Sequence, residues 1–429
     1  MSEVRKKLHG SMILVALLLC AALPHTASAS SPKASQGIPS ERLQRLHEYM
    51  RKATDANSYL GGVTLLMRNG NVVDWQAYGY SDLARRVPMH KDAIFRIYSM
   101  TKTITSVAVM MLVEEGKLSL DDPLSRYLPG FAAPQVLAGG TAEAPQLRAA
   151  TKVPTLHALL THTAGYPAGL KGDEQAVKLM ERVDPHGASD LRDFAARMSR
   201  VPLAADPDTR FGYDGASLEL LARVVEVASG QSFESFLQQR IFTPLHMRDT
   251  GFSVPTAERG RVVDLTIMGK DGKLALASTE SARHPGVPLN AYTSGAGGLY
   301  STAADYARFA QMLLNGGSLD GQSLLKRETV ALMMRNQLTM LHPPVTQFSD
   351  AEGFGIGGYV VLDPVRRGQL GSVGQYGWSG AASTTYTIDP KEHLVAILLL
   401  QHVPREDGGK DLPRISRPFY NLVYQALQP

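Results

Sequence analysis

Two residues three positions apart carry the first chemical signal. In Ile94-Phe-Arg-Ile-Tyr-Ser-Met-Thr-Lys-Thr103, Ser99 and Lys102 stand at the start of a helical run. Residues three apart on a helix share a face. One piece of backbone therefore holds a hydroxyl beside an amine, the pairing that a serine nucleophile and its base require. Alone, the spacing is weak. On the order of one match is expected by chance in a chain this long, and an isolated match more often marks an N-cap serine followed by a solvated lysine.

Three further stretches offer partners. Phe211-Gly-Tyr213-Asp-Gly215 lies just ahead of a helix. A nearby cation favours a phenolate, and a desolvated lysine sheds its proton readily. Either Tyr213 or Lys102 could then take the serine proton while the other orients it. In isolation Tyr213 reads as an aromatic stopper under a helix. Gly377-Trp-Ser-Gly-Ala381 leads into a strand. Glycine lets a backbone approach a substrate closely, and the main-chain N–H groups of Ala381 and Ser99 would make an oxyanion hole. In isolation this is a Gly-rich turn with a buried tryptophan. Leu160-Thr-His162-Thr-Ala-Gly165 invites a triad, but the chain has no Gly-x-Ser-x-Gly elbow. His162 therefore reads as structural, holding a boundary by hydrogen bonds. There is no His-Glu-x-x-His and no clustered His/Cys/Asp set, so no metal is expected.

The elements that must position these groups can be read from periodicity. Residues 107–113 are apolar at every position, and Gly116 follows where a helix would stop. A helix apolar all round is buried, so Ser99 and Lys102 stand at the end of a central helix. Upstream, Ser40 can cap a helix with Leu43, Leu46, Met50 and Ala53 on one face. Residues 62–67 and 72–80 flank Asn69-Gly70, a strong hairpin signal. Residues 129–154 read as a long loop or crossing. Helices are expected at 156–160, at 217–229 before Gly230, and after Ser232 with Phe233, Phe236, Leu237 and Ile241 inward. Residues 259–288 read as loop or short strand. Thr302-Ala-Ala-Asp305 resembles a capping box for a helix reaching Gly316, and another helix spans 326–336. Strands follow at 355–362, 382–388 and 394–400, the last two joined at Asp389-Pro390. A closing amphipathic helix carries Ile415, Phe419, Leu422, Val423 and Ala426.

An early hairpin is too small to be a stable sheet, and the late strands can complete it. The expected fold is α+β: one mixed lobe from residues 40–130 and 291–429, with a central antiparallel sheet flanked by helices, and a mainly helical lobe from 131–290 inserted. A cleft between two such lobes is a usual place for a small-molecule site.

Composition sets the class. The chain has 429 residues, 44% hydrophobic and 20% charged, an ordinary globular balance. A formal net charge of +4, with no Lys/Arg run beyond the N-terminus, argues against nucleic acid as a partner. Arg5, Lys6 and Lys7, an apolar run over 12–23 and Ala27-Ser28-Ala29 read as a signal peptide over residues 1–29, followed by a Ser/Pro/Ala linker over 30–39. The mature chain would begin at Ser30 in the periplasm or the medium, without a membrane anchor. The single cysteine, Cys20, lies in the apolar run after Leu19, where a lipid-attachment site would want a small residue.

Taken together, Ser99-Met-Thr-Lys102, Leu159-Leu-Thr-His-Thr163, Tyr213, Ser294 to Gly298 and Trp378-Ser-Gly380 occur in the order seen in serine β-lactamase-like hydrolases. The chain resembles class C β-lactamases and the related family VIII carboxylesterases from about Tyr59 to Gln401. The resemblance implies a β-lactamase/DD-peptidase-like fold and no cofactor. It implies that Ser99 becomes acylated and that Lys102 and Tyr213 share general-base work. Ser99 and Ala381 would supply oxyanion donors, Trp378, Ser379 and Gly380 would line the pocket, and Tyr213 would activate the hydrolytic water.

Two departures from the family pattern bear on substrate. The third motif usually begins with lysine, as Lys-Thr-Gly, and that cation pairs with the carboxylate of the drug. Here Trp378 offers an apolar plate and one N–H, which suits neutral esters better than anions. Where Tyr-Ser-Asn is usual the chain has Tyr213-Asp-Gly215. Gly215 cannot supply the amide that orients the acyl side chain, and Asp214 reads as a helix N-terminal charge. The expectation is a carboxylesterase on small neutral ester substrates. The alternatives are hydrolysis of β-lactams or D-amino-acid peptides and amides in the same pocket, and non-catalytic binding of cell-wall peptides or β-lactams.

Overall fold

The computed structural model describes residues 38–54, 58–405 and 409–428. The expected signal segment and residues 30–37 of the linker lie outside them. Among the described residues no helix is long and apolar enough to cross a membrane.

The fold starts from a hairpin. Strands β1 (Gly61–Arg68) and β2 (Asn71–Gly79) are joined at Asn69 and Gly70, with φ of 50° and 78°. Left-handed conformations at both positions match the twist of the flanking strands, which is why Asn-Gly sits there. Five later strands complete the sheet: β3 (Glu352–Phe354), β4 (Tyr359–Val361), β5 (Tyr376–Gly380), β6 (Thr384–Asp389) and β7 (Leu394–Leu400). The seven-stranded order is β3-β4-β5-β6-β7-β1-β2, and every neighbouring pair is antiparallel. The two ends of the chain meet where β7 pairs with β1, Ile397 facing Leu65.

Helices cover both faces, and the two-residue period of β7 sorts its side chains between them. Leu394, Ala396, Leu398 and Leu400 pack with helix α1 (Ser40–Thr54) and the C-terminal helix Ser416–Leu427, through Leu43, Leu46, Met50, Phe419 and Val423. Val395, Ile397 and Leu399 face the larger core with Ile104, Ala307 and Phe309. This explains an unbroken apolar strand: it is buried on both sides.

Helix α2 (Thr101–Glu114) runs through that larger core, and each of its residues from Thr101 to Leu112 is buried. Gly116, at φ 70°, ends the run. Around α2 lie α3 (Leu156–Leu160), α4 (Ala216–Ser229) and α5 (Ala303–Leu314).

Three stretches differ from the sequence expectation. Residues 129–154 include an antiparallel hairpin, Gln135–Gly140 with Pro145–Ala149. Its second strand is wholly exposed, so no alternation of apolar residues marks it. The run 355–362 is not one strand, because residues 355–358 turn between β3 and β4. The turn presses on its neighbours: a Cβ on Gly355 would lie 2.2 Å from Met333 O, and one on Gly357 2.7 Å from Ser106 Oγ of α2. Finally, the Gly-Trp-Ser-Gly motif lies within strand β5, and the next strand begins only at Thr384, after a turn with Ser383 at φ 61°.

Candidate active site

The position of Ser99 begins with the strand before it. Phe95–Arg96 pairs with Tyr300–Ser301, and Ile97 N–H donates to Leu299 O at 3.0 Å. Arg96 is fully buried. Its guanidinium donates to Val263 O at 2.8 Å, to Gln401 Oε1 at 3.2 Å and to Ser281 O. A planar donor fork can tie down several distant segments at once, and here it anchors the approach to Ser99.

The chain then turns sharply at Tyr98, with φ 41°, and residues Tyr98–Met100 form a 3-10 turn. Ser99 therefore precedes α2, and Lys102 lies in its first turn. Lys102 Nζ donates to Ser99 Oγ at 3.0 Å and to Ala296 O at 2.7 Å. Lys102 is buried and Ser99 half-buried. Ser99 thus keeps part of its exposure while Lys102 is screened from water.

Tyr213 lies beside this pair. Lys102 Nζ is 5.1 Å from the centre of its ring. The same ring packs against His162 at 4.8 Å, Trp378 at 5.1 Å and Phe348 at 5.7 Å between centroids. Trp378 Nε1 donates to Tyr213 Oη at 3.2 Å. That bond fixes the phenol and leaves its own O–H and one lone pair for reacting groups. The backbone N–H of Tyr213 donates to Gln347 Oε1 at 2.9 Å.

His162 stands behind Tyr213, fully buried. Its Nδ1 is 3.2 Å from Asp214 Oδ2, and its carbonyl accepts from Gly212 N–H at 2.9 Å. Burial pushes its pKa down, against the pull of Asp214. Asp214 also accepts from Ser217 N–H at 2.6 Å and Ser217 Oγ at 2.9 Å. It therefore caps α4, the helix that follows Tyr213.

The third motif reaches the site along β5. Trp378 is buried, Ser379 exposed, Gly380 half-buried and Ala381 exposed. A Cβ on Gly380 would lie 2.4 Å from Ile97 O, so the end of β5 presses on the turn that carries Ser99. Ala381 is one residue beyond that contact along the chain, and Ser99 is two residues beyond Ile97. Neither backbone N–H donates to a protein acceptor among the described residues.

Several groups at the site carried no expectation. The carbonyl of Ala296 is a backbone group and leaves no mark in the sequence. Gln347 and Phe348 come from a segment without periodicity. Glu219, one link away from Lys102, did leave a signal: a lone acid in the apolar run Leu218-Glu-Leu-Leu221.

The family model described as Beta-lactamase matches residues 46–417. The lovastatin esterase of Penicillium rubens is 32% identical over 372 residues, covering 79% of this chain and 86% of its own. Esterase EstB of Burkholderia gladioli is 28% identical over 395 residues, covering 87% and 94%. The D-alanyl-D-alanine-carboxypeptidase/endopeptidase AmpH of Escherichia coli K12 is 25% identical over 415 residues, covering 93% and 95%. Among solved structures, unliganded simvastatin synthase (LovD) from Aspergillus terreus superposes with a TM-score of 0.73 at 23% identity, covering 90% of this chain and 98% of that one.

Proposed function

This chain belongs to the beta-lactamase family and is a serine hydrolase of it, and from that premise we propose that it is a carboxylesterase acting on small neutral esters through an acyl-enzyme on Ser99. The observation that carries the ester preference is the third motif. An uncharged indole stands there, its N–H committed to Tyr213 Oη, with the exposed ring of Phe348 beside it. An anionic substrate would meet no cation at that position, whereas an ester meets an aromatic wall. The similarity to two proteins named as esterases supports the same reading.

In the proposed reaction Ser99 Oγ attacks the ester carbonyl carbon. Its proton passes to Lys102 or Tyr213, and the N–H groups of Ser99 and Ala381 receive the developing oxyanion. The C–O bond to the alcohol breaks and the alcohol leaves with that proton. Water then attacks the acyl-enzyme with Tyr213 as its activator. The carboxylic acid departs, and Ser99 regains its hydrogen. The N-terminal pattern of cations, apolar run and Ala-x-Ala supports export to the periplasm or medium.

The similarity to AmpH supports a second reading, hydrolysis of D-alanyl peptides, and the family description extends that reading to β-lactams, because an acyl-enzyme chemistry uses the same serine and lysine. The deciding experiment is a paired assay of a short-chain p-nitrophenyl ester and a chromogenic cephalosporin, with Ser99→Ala beside each. Ester turnover well above cephalosporin turnover, both lost in the variant, is expected. Faster cephalosporin cleavage would replace the esterase reading with the second one, and unchanged turnover in Ser99→Ala would remove the mechanism.

A further inference from the structure

The carboxylate of Glu219 is one link from the reacting groups. It lies in the first turn of α4, six residues after Tyr213, and is 2% exposed among Leu218, Leu220 and Leu221. A carboxylate is costly to bury unless hydrogen bonds compensate it. Both of its oxygens are taken by a single turn. Oε1 accepts from Ser294 Oγ at 2.5 Å and Oε2 from Gly295 N–H at 2.7 Å. Ser294 Oγ in turn accepts from Gly297 N–H at 3.0 Å. The next carbonyl along that turn, Ala296 O, receives Lys102 Nζ.

Helix α2 pins the turn from its other side. Thr105 Oγ1 donates to Gly295 O at 2.7 Å, and Thr101 Oγ1 accepts from Leu299 N–H at 3.3 Å. The space is closed as well: a Cβ on Gly295 would lie 2.6 Å from Leu218 O and 2.7 Å from Ala222 Cβ. The turn is thus wedged between the helix that carries Lys102 and the helix that carries Glu219.

We propose that Glu219 is a positioning residue for the nucleophile: it fixes the 294–298 turn so that Ala296 O aims Lys102 Nζ at Ser99 Oγ. The proposal rests on the acyl-enzyme reading of Ser99. The ionised carboxylate accepts from both Ser294 Oγ and Gly295 N–H, whereas protonation turns one of its oxygens into an O–H donor. Burial raises this carboxyl to about 7, against the pull of Ser294, Lys102 and the backbone N–H of the turn. The groups facing it are Lys102 on α2, Ser294 on the turn, and Tyr292, whose hydroxyl also meets His186 Nδ1 at 3.1 Å. The positioning bonds are therefore complete above neutrality and weaken as the carboxyl takes up a proton.

The test measures Ser99 reactivity directly, by the rate at which an alkyl fluorophosphonate labels the full chain, with Ser99→Ala as the blank. Glu219→Gln is expected to label about 10- to 100-fold more slowly at pH 8. Its KM for a p-nitrophenyl ester should stay near that of the wild type, and it should lack the inflection near pH 7 in the labelling profile. Wild-type labelling rate and profile in a folded Glu219→Gln variant would overturn the proposal. If that variant does not fold, Ser294→Ala removes one of the two links and is expected to slow labelling about 3- to 10-fold; an unchanged rate there would overturn it equally. A wild-type chain that is not labelled at Ser99 would overturn the acyl-enzyme reading and this proposal with it.

Discussion

A lysine that gives one N–H to a serine hydroxyl and another to a backbone carbonyl is held by two constraints, and Lys102 has both, through Ser99 and Ala296. The side chain of Tyr213 is held by one polar bond and three rings. Truncation should expose these roles. Lys102→Ala and Tyr213→Phe are each expected to lower kcat for a p-nitrophenyl ester by about 10²–10⁴-fold, the usual contribution of a general-base step. Near-normal rates in both would take them out of that role. The indole of Trp378 combines a donor to Tyr213 with an apolar plate, and two variants separate these functions. Trp378→Phe keeps the plate and loses the donor, so kcat should fall about 10-fold with KM little changed. Trp378→Lys restores a donor with a charge, and the cephalosporin-to-ester ratio should rise. An unchanged ratio would show that the third motif does not set selectivity.

At the scale of elements, Asp214 links the site to the helix behind it. Its carboxylate caps α4 through Ser217 and also receives buried His162 Nδ1. Asp214→Ala removes a cap worth about 1–2 kcal/mol and leaves a buried N–H unsatisfied at about 1–3 kcal/mol. Urea unfolding should therefore show a loss of about 2–4 kcal/mol, and Asp214→Asn, which can still accept, a smaller one. A change within error for Asp214→Ala would mean that α4 does not depend on this cap. The departure from Tyr-Ser-Asn thus has a structural reason, visible in the sequence only as an acid just ahead of a helix. The place of Ser99 was less legible. Ser-x-x-Lys predicts one helical face, yet the serine stands on a 3-10 turn. The reversal at Tyr98, where φ is 41°, follows directly on the pairing with Tyr300–Ser301 and on buried Arg96.

For the whole molecule, the buried carboxyl of Glu219 makes stability depend on pH. Its folded pKa is raised from 4.5 to about 7. The associated stability is fully present below pH 4.5 and is lost as pH rises through about 7, because the unfolded chain releases the proton first. The swing is on the order of 3 kcal/mol. Glu219→Gln, which has no proton to lose, should therefore gain stability relative to the wild type between pH 4.5 and 7.5. Urea unfolding of both proteins at the two pH values checks this. A gain by the wild type instead would mean that the hydrogen bonds from Ser294 and Gly295 outweigh burial.

The sequence by itself determined the family resemblance and most of the elements. The spacing of Ser99 and Lys102, the all-apolar helix behind them, the Asn-Gly hairpin and the late apolar strands are local patterns, and local patterns survive without knowledge of distant contacts. Only the tertiary structure decided which groups hold Lys102, Tyr213 and the approach to Ser99. The Ala296 carbonyl on Lys102, the Trp378 N–H on Tyr213, the Glu219 carboxylate under the 294–298 turn and the Arg96 fork all join residues more than seventy positions apart. Each exists because a buried polar group must find a partner wherever the fold brings one, and no spacing along the chain records that choice.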